Sequence, residues 1–138
     1  MCYYSTSGKN IDISYPNLGL EELMRSCDII SIHAPLNEQT QGLIAQNELS
    51  WMKRRAILLN LGRGGIVDEM ALARAIDEQE IYAGLDVFAT EPIQETNPLL
   101  RVRASDRLIM VPHIAWGSVE ARTELVRLVS ENIKDYLR

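Results

Sequence analysis

Apolar positions in this chain alternate between short continuous runs and one-sided helical stripes from one end to the other. Leu20, Leu23, Met24 and Cys27 follow the i, i+3, i+4, i+7 spacing of a helix with one apolar face. Asp28 to Ile32 then reads as a short buried strand ending at Ser31-Ile32-His33-Ala34-Pro35. Asn47 begins a short helix with Leu49 and Met52. The unbroken run Ala56-Ile57-Leu58-Leu59 follows, as expected of a strand buried on both faces of a parallel sheet. Asp68 is read as the N-cap of a helix carrying Leu72 and Ile76 on one face. Further strands are predicted around Ala83 to Val87 and Leu108 to Val111, separated by a Pro- and polar-rich connection from Glu91 to Arg107. Ser118 caps a last helix that places Val126, Val129, Ile133 and Leu137 along one face, a stripe read as core. This alternation predicts an α/β sheet with crossover helices.

The segment Asn60-Leu61-Gly62-Arg63-Gly64-Gly65-Ile66-Val67-Asp68 puts an arginine on a glycine hinge at a strand's end. Gly62, Gly64 and Gly65 clear side chains from around Arg63, so a flat ligand can approach the backbone there. In open parallel sheets ligands bind outside the carboxyl ends of the strands, where this arginine falls. The plain alternative is a surface arginine in a flexible loop. Two further polar groups follow strand candidates. Glu91 lies in Gly84-Leu85-Asp86-Val87-Phe88-Ala89-Thr90-Glu91-Pro92, and His113 lies in Val111-Pro112-His113-Ile114-Ala115-Trp116. An arginine, a glutamate and a histidine at three successive strand exits converge on one edge of one sheet. Taken singly, the histidine reads as a local hydrogen-bonding residue and the glutamate as a turn cap.

Composition narrows the class. A length of 138 residues fits one domain, and 46% apolar with 24% charged residues is the balance of a globular rather than a disordered chain. The net charge of −5 and the absence of a Lys/Arg block argue against nucleic acid or an anionic membrane as partner. No apolar run approaches membrane-spanning length. Cys2 and Cys27 lack metal-ligand spacing and are read as reduced thiols of a cytoplasmic protein, with no metal site expected.

The motifs Asn-x-x-Arg-Gly, Asp-Val-x-x-x-Glu-Pro and Pro-His-Ile-Ala-Trp, in this order from Asn60 to Trp116, resemble those of the D-2-hydroxyacid dehydrogenases. That family includes D-lactate, D-glycerate and D-3-phosphoglycerate dehydrogenases, and the resemblance runs from about Tyr3 to the C-terminus. It implies a Rossmann-like, doubly wound parallel sheet that takes NAD or NADP, a small 2-oxo or 2-hydroxy acid as substrate, and a homodimer in the full-length family context. A dinucleotide-binding unit normally opens with a strand and G-x-G-x-x-G, which is absent here. The chain instead begins at what resembles the second strand, Met1 to Ser5. By this comparison residues 1–138 are a partial dinucleotide-binding domain. The first strand, the glycine loop and the substrate domain are expected upstream. The gap is expected to separate the Met1 to Ile32 half from the half beginning at Ala56, leaving a fragment that neither binds a dinucleotide tightly nor catalyses.

Reduction of a 2-oxo acid requires a carboxylate anchor, a proton donor and a hydride donor. Arg63 suits the first, because a guanidinium fork binds a carboxylate in two places. His113 suits the second, because imidazole gives or takes a proton near neutral pH. Glu91 suits a supporting role, orienting the ring and stabilising the imidazolium. No protein side chain supplies hydride, so a nicotinamide is implied. The resemblance further assigns Asp86 to the nicotinamide carboxamide, with a loop-capping carboxylate as alternative. It assigns Ser5, His33, Pro35, Leu61 and Gly62 to the cofactor, and Trp116 to the wall of the substrate pocket. The stretch Tyr4-Ser5-Thr6-Ser7-Gly8-Lys9-Asn10 carries hydroxyls and a lysine, with no carboxylate before Asp12. NADP is therefore expected to be tolerated and possible as the preferred cofactor, the alternative being a plain polar loop. Formate dehydrogenases rank low, because the family pattern there has Gln where Glu91 stands. The competing functions are a non-catalytic dinucleotide-sensing or corepressor-like protein and an inert truncated paralogue.

Overall fold

A computed structural model describes residues 1–9 and 14–138. The elements in order are α1 (Leu20–Ser26), β1 (Ile29–Ile32), α2 (Gln46–Ser50), β2 (Ile57–Asn60), α3 (Glu69–Gln79), β3 (Tyr82–Leu85), β4 (Leu108–Met110) and α4 (Val119–Tyr136). Two 3-10 turns, Pro98–Arg101 and Ser105–Arg107, occupy the irregular connection before β4. The strands form one parallel sheet in the order β1-β2-β3-β4. Ile32 pairs with Asn60, Asn60 with Leu85, and Leu85 with Met110. The four strands therefore end level, and the loops that leave them emerge along one edge.

Alternate strand positions set the core. Ile30, Ile32, Leu58, Ala83 and Leu85 are buried together with Leu23 and Met24 of α1, Leu49 of α2, and Leu72, Ala75 and Ile76 of α3. The opposite positions are less covered: Ile57, Leu59 and Tyr82 are half-buried, and Ile29 and Ile109 are exposed. The two-faced burial expected of the Ala56 to Leu59 run is thus corrected. Helices α1, α2 and α3 pack in succession on one another and bury only one set of strand side chains. Local signals for α3 hold: the Asp68 carboxylate accepts the Ala71 N–H at 2.9 Å, and Glu80 ends the helix in the left-handed region at φ 59°.

Three further expectations are corrected. Ile29–Ile32 pairs directly with Ile57–Asn60, so no gap separates the first part of the chain from the strand before Arg63. β1 is the edge strand of the sheet, and its backbone groups on the β2 side find their ladder partners there. The predicted strand Met1 to Ser5 reduces to a parallel bridge between Tyr3 and Asn17, with the Tyr3 N–H donating to Pro16 O at 3.0 Å. On the other side of β1 a groove of about 410 Å³ runs between Tyr3, Tyr4, Ser5 and the β1 residues Ile29, Ile30 and Ser31. The stripe on α4 is the third. Ser118 does cap the helix, accepting the Ala121 N–H at 3.1 Å, but Val126, Val129, Ile133 and Leu137 are exposed because α4 buries none of its residues. Among the described residues no helix is long and apolar enough to cross a membrane.

Candidate active site

β2 ends in Asn60, a polar residue only 2% exposed. A buried amide must be satisfied. Asn60 Nδ2 donates to Arg63 O at 3.0 Å, and its Oδ1 accepts the Gly62 N–H at 3.1 Å. The turn that presents Arg63 is therefore stapled by the last residue of its strand. Gly62 lies against the loop after β1, since a Cβ there would stand 3.1 Å from Ala34 O. Gly64 lies against the loop after β3 even more closely: a Cβ would fall 1.8 Å from Phe88 O. Arg63 itself is exposed, and its Nη1 donates to Gly62 O at 2.8 Å.

The glycine contact brings Arg63 beside the segment that carries Glu91. Glu91 Oε1 accepts the Phe88 N–H at 3.0 Å, while Oε2 is paired with His113 Nδ1 at 2.8 Å. The His113 hydrogen bond, then the Phe88 amide, hold the Glu91 carboxyl below the usual carboxylate range, with the Arg63 charge adding a smaller effect. A proton on Nδ1 donated to the carboxylate leaves Nε2 as the outward nitrogen, and it has no hydrogen-bond partner among the described residues.

His113 is held in an unusual backbone conformation, φ 55°, where a residue with a side chain is strained by about 1–3 kcal/mol. The surroundings supply that restraint. Asp86, 2% exposed, accepts the Ile114 N–H at 2.6 Å and the Ala115 N–H at 3.0 Å. Trp116 Nε1 donates to His113 O at 2.8 Å. The loop-capping alternative for Asp86 is thus what its carboxylate does in this structure, although each oxygen retains a second lone pair. Trp116 is 58% exposed beside His113 and is not a core residue.

Arg63, Glu91 and His113 are brought together at the ends of three adjacent strands. Ser5, His33 and Pro35 line the groove beside β1, with His33 Nε2 2.8 Å from Ser31 Oγ. Leu61, Gly62 and Asp86 lie outside that groove on the loops following β2 and β3. Ser5 Oγ accepts the Gly8 N–H at 3.1 Å, a polar turn with Gly8 at φ 65°. Asn10 and Asp12 lie outside the described residues. Sequence reasoning missed two supports, Asn60 and Glu69. Glu69 accepts the Ala89 N–H at 2.7 Å and Asn97 Nδ2 at 2.8 Å, anchoring the segment before Glu91. A polar residue closing an apolar strand was a readable sign for Asn60. Nothing local marks Glu69, whose partners are 20 and 28 residues away.

A level parallel sheet with a histidine–carboxylate pair and an arginine at its carboxyl edge defines an open α/β domain with a ligand-binding edge. Comparison with known proteins makes this specific: residues 1–115 match the family described as D-isomer specific 2-hydroxyacid dehydrogenase, NAD binding domain, and the chain belongs to that family. It is 40% identical over 131 residues to a glyoxylate reductase of Korarchaeum cryptofilum, an alignment covering 94% of this chain and 38% of the relative. It is 40% identical over 119 residues to a glycerate dehydrogenase of Methylorubrum extorquens, covering 86% and 38%. Among solved structures, an acyclic imino acid reductase in complex with NADPH and D-Arg superposes with a TM-score of 0.82 at 33% identity, over 97% of this chain and 42% of that one. The chain thus spans about two fifths of the length of such relatives.

Proposed function

We propose that this chain carries the proton-transfer and carboxylate-anchoring groups of an NAD(P)-dependent oxidoreductase that interconverts a small 2-oxo acid and its D-2-hydroxy acid. The observation that carries this reading is the 2.8 Å pair between Glu91 Oε2 and His113 Nδ1 at the carboxyl edge of the sheet, with Arg63 beside it. Glu91 fixes the ring with Nδ1 protonated, so Nε2 gives a proton to the carbonyl oxygen in one direction and accepts it in the other. Negative charge on Glu91 stabilises the imidazolium between these events. Arg63 binds the substrate carboxylate through its guanidinium fork and holds the carbonyl in reach of Nε2. Trp116 walls the substrate side of His113.

Family membership supports a nicotinamide dinucleotide as cofactor, and bound nicotinamide supplies or takes the hydride. The residues fit it. Ser5, His33 and Pro35 gather along the groove beside β1. Leu61, Gly62 and Asp86 on the neighbouring loops complete the holding set. Ser5, Thr6, Ser7 and Lys9 favour tolerance of a 2′-phosphate, hence of NADP.

A chimera tests the reading. Residues 1–138 replace the matching segment of the Korarchaeum cryptofilum glyoxylate reductase, which supplies the remaining three fifths of the fold. Oxidation of NADPH or NADH is followed with glyoxylate, hydroxypyruvate and pyruvate. Turnover with at least one of them is expected. A folded chimera that binds either cofactor and reduces none of them contradicts the proposal.

A further inference from the structure

Cys2 and Cys27 are separated by 25 positions in the chain, yet their sulfurs lie 3.4 Å apart. Both are free and half-buried, and both line the groove beside β1, so each is open to small solutes. Their backbones are fixed independently. Cys2 precedes Tyr3, whose N–H and carbonyl bind Pro16 O and the Leu18 N–H at 3.0 and 2.9 Å. Cys27 caps α1, its N–H donating to Leu23 O at 3.1 Å, and leads into β1. The Sγ···Sγ distance exceeds a covalent S–S bond of ~2.05 Å by about 1.4 Å, a gap that rotation about two Cα–Cβ bonds can close. The hydrogen bond between the two thiols, then burial, pushes the Cys2 thiol up from its ordinary range.

We infer that Cys2 and Cys27 are a modification site, a dithiol that a low-molecular-weight disulfide converts to an intramolecular Cys2–Cys27 bond across one end of the groove. The reaction is thiol–disulfide exchange. The thiolate of one cysteine attacks a sulfur of the external disulfide, forming a mixed disulfide and expelling one thiolate, which takes up the proton lost by that cysteine. The second cysteine, as thiolate, then attacks the protein sulfur of the mixed disulfide and expels the other small thiolate, which is likewise protonated. Two protein thiols are oxidised, and one external disulfide is reduced to two thiols. The product ties the Tyr3–Asn17 bridge to the junction of α1 and β1, so the groove is closed covalently at that end while Ser5, His33 and Pro35 remain at the other. Thiols in excess reverse it.

The test equilibrates the 138-residue chain with oxidised and reduced glutathione, in buffer and in concentrated urea, and quantifies products by alkylation and mass spectrometry. The expected product is a monomer in which the tryptic peptides containing Cys2 and Cys27 are joined. Its effective concentration in buffer should exceed that in urea by about tenfold or more, because an unfolded loop of this length gives only millimolar proximity. The melting temperature should rise on oxidation and fall back with dithiothreitol. Cys2→Ser and Cys27→Ser chains should each form only the mixed disulfide with glutathione and show no such rise. Equal effective concentrations in buffer and urea, disulfide-linked dimers, or mixed disulfides at both cysteines would each overturn the inference.

Discussion

Gly64→Ala is the perturbation whose consequences are most completely set by the geometry. An added Cβ would stand 1.8 Å from Phe88 O, 2.0 Å from Phe88 C and 2.6 Å from Ala89 N, all of them backbone atoms that cannot rotate away. Favourable carbon contacts lie at ~3.5–4.0 Å, so the Arg63 and Phe88 loops must part by about 1.5–2 Å. Overpacking of this kind costs about 1–3 kcal/mol, and a backbone neighbour puts the value at the upper end. For a domain of this size that is a fall in melting temperature of roughly 5–15 °C. The parting also pulls Arg63 away from Glu91 and His113, and a misplacement of about 1 Å in a reacting constellation costs roughly 10²-fold in rate. Gly19→Ala is the control, since a Cβ there meets nothing within 4 Å. Thermal unfolding of both variants and turnover in the chimera read the two effects. A Gly64→Ala chain as stable as Gly19→Ala, with turnover intact in the chimera, would refute the claim that this contact assembles the site.

Three further outcomes are expected. Leu72→Ala, at a fully buried position, should cost about 2–5 kcal/mol in urea unfolding, whereas Val129→Ser on exposed α4 should stay within ~0.5 kcal/mol; a comparable loss at Val129 would mean the helix packs in solution. Stability should fall on acidification, because Glu91 and Asp77 have depressed carboxyl pKa values, Glu91 chiefly through His113 and Asp77 chiefly through the Ala104 amide. Below the ordinary carboxylate range the unfolded chain binds more protons, so the contribution is full above that range and is lost as pH drops through the folded values; Asp77→Asn should flatten the urea midpoint against pH, and an unchanged slope would remove Asp77 from the account. Titration calorimetry of the chain with NADH and NADPH should show binding weaker than micromolar, since no G-x-G-x-x-G loop is present to cradle the pyrophosphate; micromolar binding by a monomer would show that loop dispensable.

The local grammar of the chain was legible where one segment determines the outcome. The Asp68 and Ser118 caps, the buried pair Leu72 and Ile76, and the level strand exits that gather Arg63, Glu91 and His113 all follow from periodicity and turn chemistry. What failed depended on partners far away in sequence. Whether Ile57 and Leu59 are covered depends on which side the helices pack, and the apolar run Ala56 to Leu59 is silent about it. The α4 stripe has the spacing of a core helix, but spacing does not say that a partner surface is present. The pairing of β1 with β2 was misjudged because Asp28 to Ile32 was grouped with Met1 to Ser5 rather than with the strand at Ala56, an error of topology rather than of strand recognition. Loop capping by Asp86 was the stated alternative to its cofactor role, but its partners, 28 and 29 residues away, were not readable.

The measurement closest to the central claim is the turnover of His113→Gln in the chimera, taken together with its affinity for the cofactor. Glutamine keeps hydrogen-bonding capacity at this position but cannot act as proton donor and acceptor near neutral pH. A fall in kcat of roughly 10²–10⁴-fold is expected, with the NADPH dissociation constant unchanged. Turnover within a few-fold of the parent chimera, with the variant folded and cofactor bound, would contradict it.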